Sequence, residues 1–195
     1  MASIASLMPQ LEEMLHRLSA ENRSQTLLGV TDLFLQGAER YRPKHIELFD
    51  DVLSCLMIET DTKELKALSK RLAPCANAPV KTIVRLALDE DLSIAEPIIL
   101  QSLCLEDAVL SDIARTMSQS HLLAIACRAE VSAAVTDVLI ERGDDVVVRY
   151  VANNQGACFS QARFLALVKR SKTDGALAEQ IKHRKDIQQH QLKLG

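Results

Sequence analysis

Aromatic side chains make up only 3% of this 195-residue chain, and tryptophan is absent. Such a core must be aliphatic, built from Leu, Ile, Val and Ala, which suits helix-on-helix packing better than an aromatic-rich sandwich. Glycine and proline are scarce too, six and five residues, which excludes long flexible linkers and a series of tight hairpins. The five cysteines (Cys55, Cys75, Cys104, Cys127 and Cys158) are odd in number and scattered, with no CxxC or CxxxC pair. That pattern argues against a disulfide framework and against structural zinc, and for small buried hydrophobes in a reducing compartment. No stretch approaches the roughly eighteen uninterrupted apolar residues of a membrane span. The opening MASIASLMPQLEEMLHRL lacks the basic start and continuous apolar run of a secretory signal, and a cytoplasmic location is the simplest expectation. No GxxxxGK or GxGxxG run offers a phosphate loop.

What is present is balanced: 48% hydrophobic and 25% charged residues, with a net charge of −3. The sign is unevenly spread. Residues 1–160 carry 15 Lys and Arg against 23 Asp and Glu, whereas residues 161–195 carry 8 against 3. An acidic, Trp-free body argues against a nucleic-acid groove, which needs basic and aromatic lining. The basic end either orients a partner or is a solvated tail.

Apolar residues recur at helical spacing almost everywhere, and no segment alternates as a strand would. Leu7, Leu11, Leu15 and Leu18 form one stripe; Leu27, Val30, Thr31, Phe34 and Leu35 form the next, stopped by Gly37. Pro43 opens a third helix at its first turn, where a missing N–H costs nothing. Asp61 with Glu64 reads as a capping pair. From Pro79 the helices shorten. "RLALDEDLSIAEPIIL" (85–100) aligns with "AIACRAEVSAAVTDVL" (124–139) at an offset of 39, which predicts two-helix repeats. The expected fold is therefore all-α: a HEAT-like α-solenoid, or an irregular array of eleven or twelve short antiparallel helices. It forms a single helical domain over residues 1–195, with longer helices over 1–74, repeats over 79–185 and a polar tail over 186–195.

The stretch "VANNQGACFS" (151–160) gathers the polar residues that could carry chemistry. A nucleophile at Cys158 or Ser160 needs a partnered base, and none of the histidines (His16, His45, His121, His183, His190) lies in the local repeat. The spacing instead predicts a helix corner. Asn153 or Asn154 and Gly156 are expected to supply left-handed backbone angles, and Ser160 to cap the following helix. Ser93, with Glu96 three residues on, and Ser132 are read as further caps, Gly143 as a helix terminator and Asp144 as the next N-cap. The Arg142-Gly143-Asp144 tripeptide is thus a helix junction rather than an adhesion ligand. Arg128, Asp137 and Arg142 are expected either to form a partly buried ion pair that sets helix stacking or to line a small anion pocket.

The segment "IACRAEVSAAVTDVLIERGDDVVVRYVANNQGACFS" resembles the signature of an alphaproteobacterial helical family, domain-of-unknown-function family 2336. The matching positions are Ile125, Ala126, Arg128, Val131, Ser132, Val135, Asp137, Arg142, Gly143, Asp144, Ala152, Asn154, Gly156, Ala157 and Ser160. The resemblance extends over roughly residues 20–190. Cys127, Tyr150 and Gln188-Gln189 depart from it. It implies a HEAT-like array of unassigned activity, and, since members are often longer, an N-terminal fragment or a short paralogue.

The leading functional expectation is a non-catalytic protein–protein interaction scaffold in bacterial regulation or signalling, binding no cofactor and leaving homo-oligomerisation open. A sensor for a small anionic ligand or nucleotide messenger is the alternative, with Arg128, Arg142, Lys182, Arg184 and Lys185 as candidate anion or partner contacts. A HEAT-like enzyme comes third. The iron-dependent hydroxylase type needs His-Glu motifs, and the chain has no His-Glu dipeptide.

Overall fold

The computed structural model describes residues 19–182 together with Glu13 and Arg184. The first apolar stripe, His16, His183, His190, Lys185 and the tail 186–195 lie outside them. The described residues form eleven α-helices and no strand, an all-α fold. The chain divides into two compact units, Met1–Leu105 and Glu106–Gly195. No helix among the described residues is long and apolar enough to cross a membrane.

The first unit holds α1 (Ala20–Gly37), a 3-10 turn (Ala38–Arg40), α2 (Pro43–Leu56), α3 (Thr62–Leu72), α4 (Val80–Ala87) and α5 (Leu92–Gln101). Its helices pack on both their sequence neighbours and the helix two places along: α1 on α2 and α3, α2 on α4, α3 on α5. The aliphatic stripes face inward, burying Leu53, Leu56, Leu72, Ile83, Leu86, Ile98 and Ile99. Each such side chain removed from water contributes about 1.5–3 kcal/mol before chain entropy is set against it. Three of the six aromatics, Phe34, Tyr41 and Phe49, cluster here. Phe34 meets Phe49 edge-on at 5.2 Å, and Tyr41 stacks on Phe49 at 5.1 Å.

Pro79 sits at the cap position of α4 and has no side chain that could accept a hydrogen bond. Asp50, buried on α2, does so in its place. Its carboxylate accepts the backbone N–H groups of Lys81 (2.8 Å) and Thr82 (2.7 Å) and the Thr82 hydroxyl (2.8 Å). The two N–H groups are orphan donors of the first turn of α4, so one helix is capped by another. After α2 the chain turns through Glu59, whose φ of 58° lies in the left-handed region. Arg23 of α1 holds that turn, donating to the Ile58 carbonyl at 2.6 Å and to the Glu59 carboxylate at 3.0 Å.

The second unit holds α6 (Asp107–Thr116), α7 (Gln119–Ala126), α8 (Ala133–Arg142), α9 (Asp145–Asn153), α10 (Gln161–Ser171) and α11 (Gly175–Lys182). Again α6 packs on α8, α7 on α9 and α9 on α11, while adjacent pairs such as α8–α9 and α10–α11 also touch. Its core is Ile113, Leu122, Ile125, Val135, Leu139, Val151 and Leu177. The offset of 39 is visible in the helix limits, since Val80–Ala87 and Gln119–Ala126 correspond residue for residue.

Candidate functional site

The polar stretch 151–160 is the corner between α9 and α10, as expected, but it is built differently. No described glycine has a positive φ, and Asn154 leaves α9 at φ −73°. The expected left-handed exit is replaced by closure from side chains of other helices. The Asn154 amide donates to the carbonyls of Ala126 (2.9 Å) and Arg128 (2.7 Å) at the exit of α7, and its oxygen accepts the Gly156 N–H at 2.9 Å. The two corners are then joined along their backbones. Val131 N–H donates to the Gly156 carbonyl (3.1 Å) and Cys158 N–H to the Val131 carbonyl (2.8 Å), an isolated parallel bridge between Val131 and Ala157. Glycine is required at 156 by this close approach, because a Cβ there would lie 1.8 Å from the Ala129 carbonyl oxygen.

Ser160 caps α10 by accepting the Arg163 N–H at 3.3 Å, and its hydroxyl donates to Asp137 at 2.8 Å. Asp144 caps α9 through the Val147 N–H at 2.9 Å. Gly143 does follow the last residue of α8, at an ordinary φ of −66°; a Cβ would meet the Leu139 carbonyl oxygen at 2.3 Å. Three expected caps need correction. Asp61 stands at the cap of α3, but its side chain accepts no cap bond and the expected pairing with Glu64 does not form. Asp91, rather than Ser93, caps α5 and accepts the Ser93 N–H at 2.9 Å, while Glu96 is exposed and forms no capping bond. Asp and Ser stand two residues apart there, and the carboxylate takes the position nearer the helix start. Ser132 stands at the cap of α8, but its buried hydroxyl makes no hydrogen bond.

The ion pair expected among Arg128, Asp137 and Arg142 does not form among the described residues. Asp137 receives Ser160, and Arg142 donates to the Ala114 carbonyl at the exit of α6 (2.5 Å). A carbonyl satisfies a guanidinium at lower desolvation cost than a second buried charge. Arg128 is half-buried, and that burial lowers its pKa, with Asp107 opposing the shift. Gln119 closes the exit of α8, donating to the Arg142 carbonyl at 3.0 Å.

Arg184 is 2% exposed, with its guanidinium donating to the carbonyls of Ala152 (3.2 Å), Asn154 and Ala157 (2.7 Å) and lying 4.5 Å from the Phe159 ring centre. Lys182 is exposed and pairs with Glu179 at 2.5 Å. The candidate cations are thus not brought together: two of them, Arg142 and Arg184, serve helix exits.

Cys158 carries an exposed free thiol, and its carbonyl accepts the Thr136 hydroxyl at 2.6 Å. Among the described residues no group of three His, Cys, Asp or Glu side chains could hold a metal ion. His121 is buried and shares a 2.8 Å hydrogen bond with Ser118. With the corners occupied, surface apolar residues stand out. Val146 and Tyr150, one turn apart on α9, are 48% and 52% exposed beside the buried Val147, Val148 and Val151. In the first unit, a cavity of about 390 Å³ opens between the exits of α1 and α3, lined in part by Arg40, Arg71 and Cys75.

Residues 94–194 match a protein family described as an uncharacterised protein conserved in bacteria (DUF2336). No curated protein and no solved structure matches the chain.

Proposed function

The chain belongs to this family of uncharacterised bacterial proteins, DUF2336, and on that premise we propose that it is a HEAT-like, non-catalytic scaffold for protein–protein interaction in cytoplasmic regulation or signalling. The observation that carries the reading is the apolar ridge Val146–Tyr150 on α9. Helix faces in stacked arrays are surfaces for partners, and Tyr is favoured at the centre of such contacts. The polar groups of the corners are engaged in holding helix ends: Asn154, Ser160, Asp144 and Arg142 each have a structural partner. The test compares affinity purification from the native bacterium using the wild type and Val146→Ser with Tyr150→Ser. A partner lost from the variant, at unchanged thermal stability, supports the reading; an identical captured set, or none, overturns it.

A second reading, a sensor for a small anionic ligand, is favoured by the 390 Å³ cavity with Arg40 and Arg71 in its lining. A thermal-shift panel of nucleotides and dicarboxylates tests it. A saturable rise abolished by Arg40→Ala supports the reading, and silence across the panel ends it.

A further inference from the structure

Of the five cysteines, two belong to the corners at either end of the α4–α5 pair: Cys75 in the turn between α3 and α4, and Cys104 just after α5. The Cys104 thiol points at the backbone of the other corner, donating to the Ala76 carbonyl at 3.3 Å and lying 3.7 Å from the carbonyl oxygen of Cys75 itself. The Cys75 thiol bonds within its own turn, to Asn77 at 3.5 Å, and lines the 390 Å³ cavity together with Arg40 and Arg71. Both cysteines are partly exposed, and among the described residues neither belongs to a group of three His, Cys, Asp or Glu side chains that could hold a metal ion.

From this juxtaposition we infer that Cys75 and Cys104 are a redox-modification pair, which a low-molecular-weight disulfide such as oxidised glutathione converts to an internal disulfide. Cys75 is reached first, through the cavity, whose arginines suit a reagent bearing carboxylates. Its thiol loses a proton to solvent, the thiolate attacks one sulfur of the reagent, and one glutathione thiolate leaves. The Cys104 thiol then loses its proton, attacks the Cys75 sulfur and expels the second glutathione. The chain gives up two electrons and two protons, and one oxidised glutathione becomes two reduced ones. Burial holds the Cys75 thiol above its ordinary pKa, with the neighbouring Cys104 and Glu39 adding to the shift, so the first step is slow. The disulfide would staple the two corners around α4 and α5 and restrain the intervening exposed Leu103.

The experiment incubates the folded full-length chain with oxidised glutathione, alkylates the remaining thiols and maps tryptic peptides without reduction. The expected product links the Cys75 and Cys104 peptides through a disulfide, while the exposed Cys127 and Cys158 carry an alkyl group or a glutathione adduct and enter no bridge. Cys104→Ser should stop at a stable glutathione adduct on Cys75, and a reducing thiol should restore the starting mass. A wild-type adduct that persists on Cys75, a bridge involving any other cysteine, or five alkylated cysteines after oxidation overturns the inference.

Discussion

Asn154 stands to the exit of α7 as Arg184 stands to the exit of α9. The first donates to the carbonyls of Ala126 and Arg128, the second to those of Ala152 and Asn154, in each case two carbonyls two residues apart at a helix end. A glycine in the left-handed conformation would normally turn those groups toward new N–H donors. Here a residue just past the helix two places along supplies the donor, which couples helix termination to the packing of neighbours.

Asn154→Ala should therefore destabilise the second unit by about 2 kcal/mol, since it strands two carbonyls and the Gly156 N–H. Urea denaturation reads the loss. Asn154→Asp, which keeps the Gly156 acceptor but sets a carboxylate against two carbonyls, should be at least as damaging.

Arg184→Lys keeps the charge and loses the planar fork that reaches Ala152 and Ala157 together. A loss of about 1–3 kcal/mol is expected, together with faster amide exchange at the end of α9. A variant as stable as the wild type would show that the charge alone is sufficient.

Gly156→Ala forces a Cβ against the Ala129 carbonyl and must open the Val131–Ala157 bridge. The expected cost is about 1–3 kcal/mol. Hydrogen exchange localises it: protection of the Val131 and Cys158 amides should fall before that of the α9 interior.

In the first unit, Asp50→Ala removes the acceptor for three donors at the start of α4, a loss of about 3 kcal/mol by chemical denaturation. Substituting Pro79, the residue at the cap position itself, with Ala should matter far less, because its side chain contributes no cap bond.

Asp174 sets a pH dependence. The Arg149 guanidinium donates to it at 3.0 Å and the Leu177 N–H at 3.1 Å, and both hold its carboxyl below the ordinary range. A carboxylate whose folded pKa is lowered adds stability that is fully present above its unfolded value of about 3.9 and is lost as pH falls through the folded value. The thermal midpoints of wild type and Asp174→Asn should thus differ at pH 6 and converge in the acid range. A constant gap across that range would rule out the linkage.

The periodicity of apolar residues made the helices readable, and the 39-residue offset made α7 the sequence counterpart of α4, since each buries the matching positions of its own helix. Asp144 and Ser160 were readable as caps because the acceptor lies within a few residues of the donor it serves. The cap on α4 was not, since Asp50 lies 31 and 32 residues from the donors it satisfies. For the same reason Arg142 reads as an ion-pair or anion-pocket residue and Arg184 as an anion or partner contact: their carbonyl partners are 28 and 27–32 residues away. Local chemistry shows in a sequence, whereas a donor arriving from a distant helix shows only once the helices pack.

The Arg184 contact also bears on how the second unit comes apart. Peeling the last segment away bares the oxygens of α9, whose loosening withdraws Asn154 and unfastens α7 in turn. Such a chain of latches, each released by the one after it, should fray inward from its carboxyl side, and pulling on that end should give a staircase of small yields in place of one abrupt rupture.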